Sequence, residues 1–326
     1  MNEPVLEVRN LSVRFPVSGG RWLQAVNGAT FAMTRGETLG LVGESGSGKS
    51  TIARALLRLV PASGGEVRFR GTDLLVLERQ QLRGMRRHLQ IIFQDPLASL
   101  DPRMNVGEII AEPLREHRRD LSAAARRDKI LGMMERVGLL PAHLNRYPHE
   151  FSGGQAQRIG IARALVLEPE VLVCDEPISA LDVSIKSQIA NLLKDLQLQN
   201  DLSVLFIAHD LAAVRFSCDR VLVLYLGRIM EVASRTALFA SPRHPYTRAL
   251  LRSVPIADPV RARARQAAPL RGEIPSPLAP PSGCVFRTRC PYAAPICEAQ
   301  IPQLRMVGDS LVACHRVEEI GSVSVS

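Results

Sequence analysis

Nine residues, GESGSGKST (43–51), constrain this chain more than any other stretch. They fit the pattern G-x-x-x-x-G-K-[S/T], a loop built to hold phosphate. Its glycines, Gly43, Gly46 and Gly48, let the backbone wrap around phosphate oxygens with N–H groups turned inward. Glu44, Ser45, Ser47 and Thr51 complete the loop, and a helix start behind it adds partial positive charge. Lys49 is placed to reach the outer phosphates, and the Ser50 hydroxyl to ligate Mg²⁺. The flanks agree: GETLGLVG (36–43) reads as a strand entering a glycine turn, and KSTIARALLRLV (49–60) spaces its apolar residues as a helix does. A chance glycine-serine turn would lack one flank or the other. The loop alone does not separate a kinase from a GTPase or a transport ATPase.

Four further segments narrow the choice. VLVCDEP (171–177) is an apolar strand ending in two acids. Asp175 can hold Mg²⁺ through its water shell, and Glu176 can polarise an attacking water. FSGGQAQRIGIARAL (151–165) joins a Ser-Gly-Gly turn to a helix, so bare N–H groups and a hydroxyl suit a second anion site. IIFQDP (91–96) sets Gln94 after a strand, and FIAHD (206–210) sets His209 at a strand's end. Each alone has an ordinary reading: a helix cap, a helix entry, a structural hydrogen-bonding group.

Bulk properties exclude other classes. No apolar run approaches the ~18 to 20 residues of a membrane span, and MNEPVLEVRN lacks the basic-then-apolar pattern of a secretory signal. A cytoplasmic protein is expected, in which clustered cysteines bind metal more often than they form disulfides. The net charge of +9 suits an acidic partner such as nucleotide phosphates or an anionic membrane surface. Only 4 % of residues are aromatic and none is interleaved with basic runs, so no nucleic-acid partner is expected.

Along the chain, VLEVRNLSVRF (5–15), GGEVRFRG (64–71) and RRHLQIIFQD (86–95) contain strands. Residues from about 97 to 165 are mostly helical. EVLVCD (170–175) and SVLFIAHD (203–210) lack alternation, as parallel strands covered on both faces should, and RVLVLYLGRIMEVA reads as a hairpin. After about residue 250 proline becomes dense and helical periodicity fades. The expected division is 1–250 for the main domain and 251–326 for a proline-rich linker and a small C-terminal extension.

The order of the motifs carries a resemblance. Phosphate loop, Gln94, SGGQ (152–155), VLVCDE, SALD (179–182) and His209 occur as in an ABC-transporter nucleotide-binding subunit, across about residues 5–250. The resemblance implies an α/β P-loop NTPase (RecA-like) core with an antiparallel β subdomain and a helical subdomain. It implies a head-to-tail dimer sandwiching two ATPs, with Ser152, Gly153, Gly154 and Gln155 serving the partner's nucleotide. Gly43 to Thr51, Gln94, Asp175, Glu176 and His209 would serve this chain's own. Glu176 would be the general base and His209 would contact the γ-phosphate. Ser50, Gln94 and Asp175 would serve Mg²⁺, and Asp182 would lie at the subunit contact. Phe15 matches the family's adenine-stacking aromatic, with Trp22 as a substitute if PVSGGRW (16–22) is an enlarged loop. Ala156 departs mildly from the family, which often has a larger polar residue there.

The tail narrows the resemblance further. SPRHPYTRALLRSVP (241–255) and LRGEIPSPLAPPSGCVFRTRCPYAAPIC (270–297), with FQDPLASLDPRMNVGEIIAEPL (93–114), are similar to oligopeptide/dipeptide importer ATPases, nearest the second of the two such subunits. Implied partners are a paralogous ATPase subunit, two transmembrane permeases and an extracytoplasmic substrate-binding protein, with this chain peripheral on the cytoplasmic membrane face. Peptides rank first as cargo, ahead of nickel or glutathione; a soluble, non-transport ABC ATPase is the alternative of another class. Cys284, Cys290, Cys297 and Cys314 are spaced C-x5-C-x6-C-x16-C, wider than most zinc knuckles. Some importer ATPases of this type carry a [4Fe–4S] cluster here, which puts iron–sulfur ahead of Zn²⁺ and of unligated thiols or disulfides. His315 is a possible substitute ligand. Cys174 and Cys218, in apolar contexts, read as core thiols.

Overall fold

Two long strands open the chain, β1 (Pro4–Val17) and β2 (Arg21–Thr34), before the short β3 (Thr38–Val42). Helix α1 (Lys49–Leu56) follows, then β4 (Gly64–Phe69), β5 (Thr72–Asp73), α2 (Arg79–Arg86) and β6 (Leu89–Ile92). Next come α3 (Val106–His117), α4 (Ala123–Arg136), α5 (Gly153–Leu165), β7 (Val171–Asp175), α6 (Val183–Asn200) and β8 (Ser203–Ala208). The chain continues through α7 (Leu211–Ser217), β9 (Arg220–Tyr225), β10 (Arg228–Ser234), α8 (Arg235–Ala240) and α9 (Pro245–Arg252). The tail adds α10 (Pro295–Ala299), β11 (Arg305–Val307), β12 (Ser310–Val312) and α11 (Val317–Ile320). This computed structural model describes residues 3–179, 181–253 and 272–321. Most of the expected proline-rich linker, residues 254–271, lies outside the described residues.

The chain divides into two compact units. The first gathers Met1–Val5, Met33–Thr38 and Val76–Ile207. Its strands β6, β7 and β8 run parallel, with Ile91 opposite Val173 and Val173 opposite Leu205. Every residue of β7 and β8 is buried, so their sequences show no polar alternation. Helices α3, α4 and α5 pack on one another in this unit. Side chains written just ahead of each helix start them: Asn105 and Glu108 form a capping box on α3, Ser122 caps α4, and Ser152 with Gln155 caps α5.

The second unit gathers Leu6–Ala32, Leu39–Leu75 and Ala208–Ser326. Here β3 runs parallel to β9, and β9 and β10 form the expected hairpin. Its turn residues Leu226 and Gly227 both have positive φ, 43° and 75°, which matches the right-handed twist of the strands. The C-terminal extension joins this sheet: β12 pairs with β10, placing Val312 opposite Glu231, and β11 pairs with β12. A second sheet has the order β2-β1-β4-β5, antiparallel from β1 through β5. Among the described residues no helix is long and apolar enough to cross a membrane.

Candidate nucleotide site

Strand β3 and helix α1 bracket the phosphate loop in the second unit. A Cβ at Gly43 would fall 2.2 Å from the Leu224 carbonyl oxygen, and one at Gly48 would fall 2.3 Å from that of Ala25. With φ of 158° and 105°, these positions admit no side chain. Lys49 is buried, and its Nζ donates to the carbonyls of Gly43 at 2.9 Å and Glu44 at 3.0 Å. The Ser47 Oγ is buried in the loop with no hydrogen-bond partner among the described residues. A bound anion would satisfy it, so the cradle fits a nucleotide phosphate. The Ser47 carbonyl accepts from the Gly227 N–H at 2.8 Å, anchoring the loop to the β9–β10 turn. Ser50 and Thr51 are half-buried in the first turn of α1, while Ser45 and Gly46 are exposed.

The aromatic candidates also lie in this unit. Phe15 is half-buried on β1; Trp22 is 51 % exposed on β2, with the Arg14 guanidinium 4.7 Å from its ring centre. The PVSGGRW segment is not an enlarged loop: β1 runs to Val17 and β2 resumes at Arg21, leaving only Ser18 to Gly20 as a hairpin turn. His209 is exposed just past β8, and the next residue, Asp210, caps α7 by accepting from the Ala212 N–H at 2.8 Å.

In the first unit the structure brings Gln94 and Glu176 together: Gln94 Nε2 donates to Glu176 Oε2 at 3.0 Å. Asp175 ends β7 and is only 1 % exposed. Glu176 has φ of 50°, a left-handed backbone that costs a non-glycine residue about 1 kcal/mol or more. It is held there because its N–H donates to Ile207 at 3.1 Å and its carbonyl accepts from the Ser179 N–H at 3.2 Å and hydroxyl at 3.0 Å. The backbone thus aims the carboxylate. Asp175, buried at the end of its strand, is a hard oxygen donor of the kind Mg²⁺ takes.

The signature segment starts α5. Ser152 and Gly153 are exposed, and a Cβ at Gly154 would lie 2.6 Å from the Ile185 side chain. Ala156 is fully buried, so its small size answers to packing rather than to the nucleotide. Asp182 is exposed at the start of α6 and makes no side-chain capping bond.

The four tail cysteines fold into the second unit. Cys284 and Cys297 are buried, Cys290 and Cys314 half-buried, and no disulfide joins cysteines among the described residues. The Cys284 N–H donates to the Cys297 carbonyl at 2.7 Å, an approach that requires Gly283 at φ of 61° just before it. Burial, reinforced by the neighbouring thiols, pushes Cys284 and Cys290 up to about 11, and burial likewise raises Cys314. Thiols are a donor set that a bound cation would stabilise as thiolates. Among the described residues no three His, Cys, Asp or Glu side chains converge closely enough to share a single metal ion. The His315 Nε2 is 3.0 Å from the Gln300 carbonyl, engaged with backbone. Cys174 and Cys218 are fully buried in the core.

Fold and loop together define an ATP-binding cassette, and comparison with known proteins agrees. The chain matches the ABC transporter family over residues 26–179 and the oligopeptide/dipeptide transporter C-terminal region over 230–297. It is 53 % identical to the oligopeptide transport ATP-binding protein OppF of Salmonella typhimurium, covering 97 % of each chain. A putative peptide import ATP-binding protein of Brucella ovis is 54 % identical over 93 % of this chain and 95 % of its own. Among solved structures, the dimeric post-hydrolysis state of the cassette MJ0796 bound to ADP and Pi superposes with a TM-score of 0.65. The two are 28 % identical, over 71 % of this chain and 98 % of that one. The cbiO1 component of the Clostridium perfringens cbiONQ transporter gives 0.64 at 27 % identity, over 73 % of this chain and 91 % of its own. The chain belongs to the ATP-binding subunits of oligopeptide ABC transporters.

Two residues against the loop were not legible beforehand. Tyr246 accepts the Glu44 N–H at 2.9 Å, and Arg289 pairs with the Glu44 carboxylate. The only hint in the sequence is that each sits in a tail segment resembling importer ATPases.

Proposed function

We propose that this chain hydrolyses ATP to energise import of di- and oligopeptides, paired with a paralogous ATPase subunit beneath two permeases and fed by an extracytoplasmic binding protein. It would sit peripherally on the cytoplasmic membrane face. The main domain, 1–250, holds the motor, and 251–326 form the linker and extension. The observation that carries the reading is the Gln94–Glu176 contact at a strand end, where a strained backbone fixes the carboxylate.

Loop residues 43–51 cradle the phosphates, Lys49 leaves its carbonyl perch for the outer oxygens, and Phe15 stacks on adenine. Ser50, Asp175 and Gln94 would hold Mg²⁺, which when bound would supply charge neutralisation for the phosphates. Glu176 takes a proton from water as that water's oxygen bonds to the γ-phosphorus and the bond to the ADP oxygen breaks. His209 contacts the γ-phosphate. Ser152, Gly153, Gly154 and Gln155 are exposed or half-exposed at a helix start, which supports their service to the partner's ATP, with Asp182 at the subunit contact. Cys284, Cys290, Cys297 and Cys314 would hold a [4Fe–4S] cluster or, as the alternative, Zn²⁺. Such a group would staple a tail that cannot build its own apolar core.

The test is Glu176→Gln in the assembled transporter. MgATP binding should persist while hydrolysis and peptide uptake slow at least about a hundredfold. Unchanged turnover would remove Glu176 from the general-base role; a wild-type assembly that turns over ATP without taking up peptide would displace peptides as cargo.

A further inference from the structure

Glu44 is the only acid in the phosphate loop, and an unpaired carboxylate there would repel the phosphates the loop is built to hold. It is not unpaired. Arg289, in the extension and next to Cys290, is 8 % exposed, and two of its nitrogens meet the two Glu44 carboxylate oxygens at 2.7 and 3.1 Å. Such a forked pair fixes geometry as well as charge. One of those nitrogens also lies 3.4 Å from the Tyr225 hydroxyl. Tyr225, Tyr246 and Phe286, all buried, form the aromatic cluster at this contact, with ring centres 4.6, 5.3 and 5.4 Å apart.

Glu44 is held at two further points. Its N–H donates to the Tyr246 hydroxyl at 2.9 Å, and its carbonyl accepts from Lys49 Nζ at 3.0 Å. The residue that seats the loop lysine is therefore clamped by its side chain from the extension and by its amide from α9. Every one of these residues belongs to the second unit.

We propose that Arg289 is a positioning residue for nucleotide binding. By pairing with Glu44 it neutralises the loop's acid, so the cysteine-bearing extension sets the loop's affinity for ATP. This rests on reading 43–51 as the nucleotide loop.

The experiment compares MgATP affinity, by titration of a fluorescent ATP analogue, and nucleotide-free thermal unfolding in the full-length chain. The variants are Arg289→Met, Arg289→Lys, Glu44→Gln and the double Glu44→Gln/Arg289→Met. Arg289→Met should weaken MgATP about tenfold, and Arg289→Lys should recover part of that loss. Adding Glu44→Gln to Arg289→Met should restore most of it, because the uncompensated acid is gone; loss of packing alone would not be rescued this way. If Arg289→Met does not fold, the other leg decides: in the Glu44→Gln background, removing Arg289 should change affinity less than about twofold. A folded Arg289→Met with wild-type affinity, or a tenfold loss persisting without Glu44, overturns the proposal. A wild-type chain that binds no MgATP overturns the nucleotide reading itself, a separate and recognisable result.

Discussion

His244 shows how a single residue ties stability to pH. Its ring is fully buried, its Nδ1 accepts from the Tyr246 N–H at 3.0 Å, and it makes a backbone hydrogen bond to Ala313. Burial pushes its pKa down from 6.5 to about 3, against the Ala313 hydrogen bond, which favours the charged form, and Arg248 adds repulsion. The folded chain thus keeps this imidazole neutral where the unfolded chain takes up a proton. Stability from this group is complete above the unfolded value and is lost as pH falls from about 6.5 toward 3, by up to about 1.4 kcal/mol per pH unit. Denaturant unfolding followed from pH 7 to 5 should show that loss. His244→Asn, which retains a capping acceptor, should reduce proton uptake on unfolding by about one; an unchanged slope would show the group titrates normally. Nothing in its position after Arg243 announces this burial. It follows from β10, α9 and the extension closing around the ring.

At the scale of elements, most of the machinery was legible because local rules and tertiary packing agree. The apolar runs at 171–175 and 203–208 became β7 and β8. The missed elements lack a local signal. Strand β2, RWLQAVNGATFAMT, mixes exposed and buried positions irregularly, and α2 buries only Leu82. Strands β11 and β12 have three residues each, too few for a pattern, and exist because β10 offers them an edge. That docking brings Cys314, two residues past β12, to the same electrostatic neighbourhood as Cys290 and Cys297. Anaerobically purified protein should contain iron and absorb broadly near about 400 nm, and Cys290→Ser or Cys314→Ser should remove both. One equivalent of zinc without iron would reassign the site to a single ion, and neither metal would leave thiols alone.

For the whole molecule, the exposed Ser152 and Gly153 are the residues proposed above to serve a partner's ATP. The MJ0796 cassette was solved as a dimer, and the proposed function here needs a pair of subunits. The Glu176→Gln chain, mixed with its paralogous ATPase and MgATP, should shift in light scattering to the mass of a two-subunit complex. Chelating Mg²⁺ should reverse the shift, and Gly153→Asp, which sets a negative charge where the partner's phosphates would bind, should prevent it. A mixture that stays monomeric with saturating MgATP would argue against a nucleotide-sandwiched pair.

Sequence by itself determined the chemistry of the phosphate loop, the identity of Asp175, Glu176 and His209 as strand-end polar groups, and the family. These are encoded by short-range spacing, because a loop that wraps an anion needs its glycines and lysine at fixed offsets. Tertiary structure alone decided that Gln94 touches Glu176, that Glu176 is held with positive φ, and that the tail folds against the phosphate loop. Glu44 and Arg289 are 245 residues apart in the chain. No local pattern links partners so distant; only the packing of Tyr225, Tyr246 and Phe286 brings the guanidinium to the acid it neutralises.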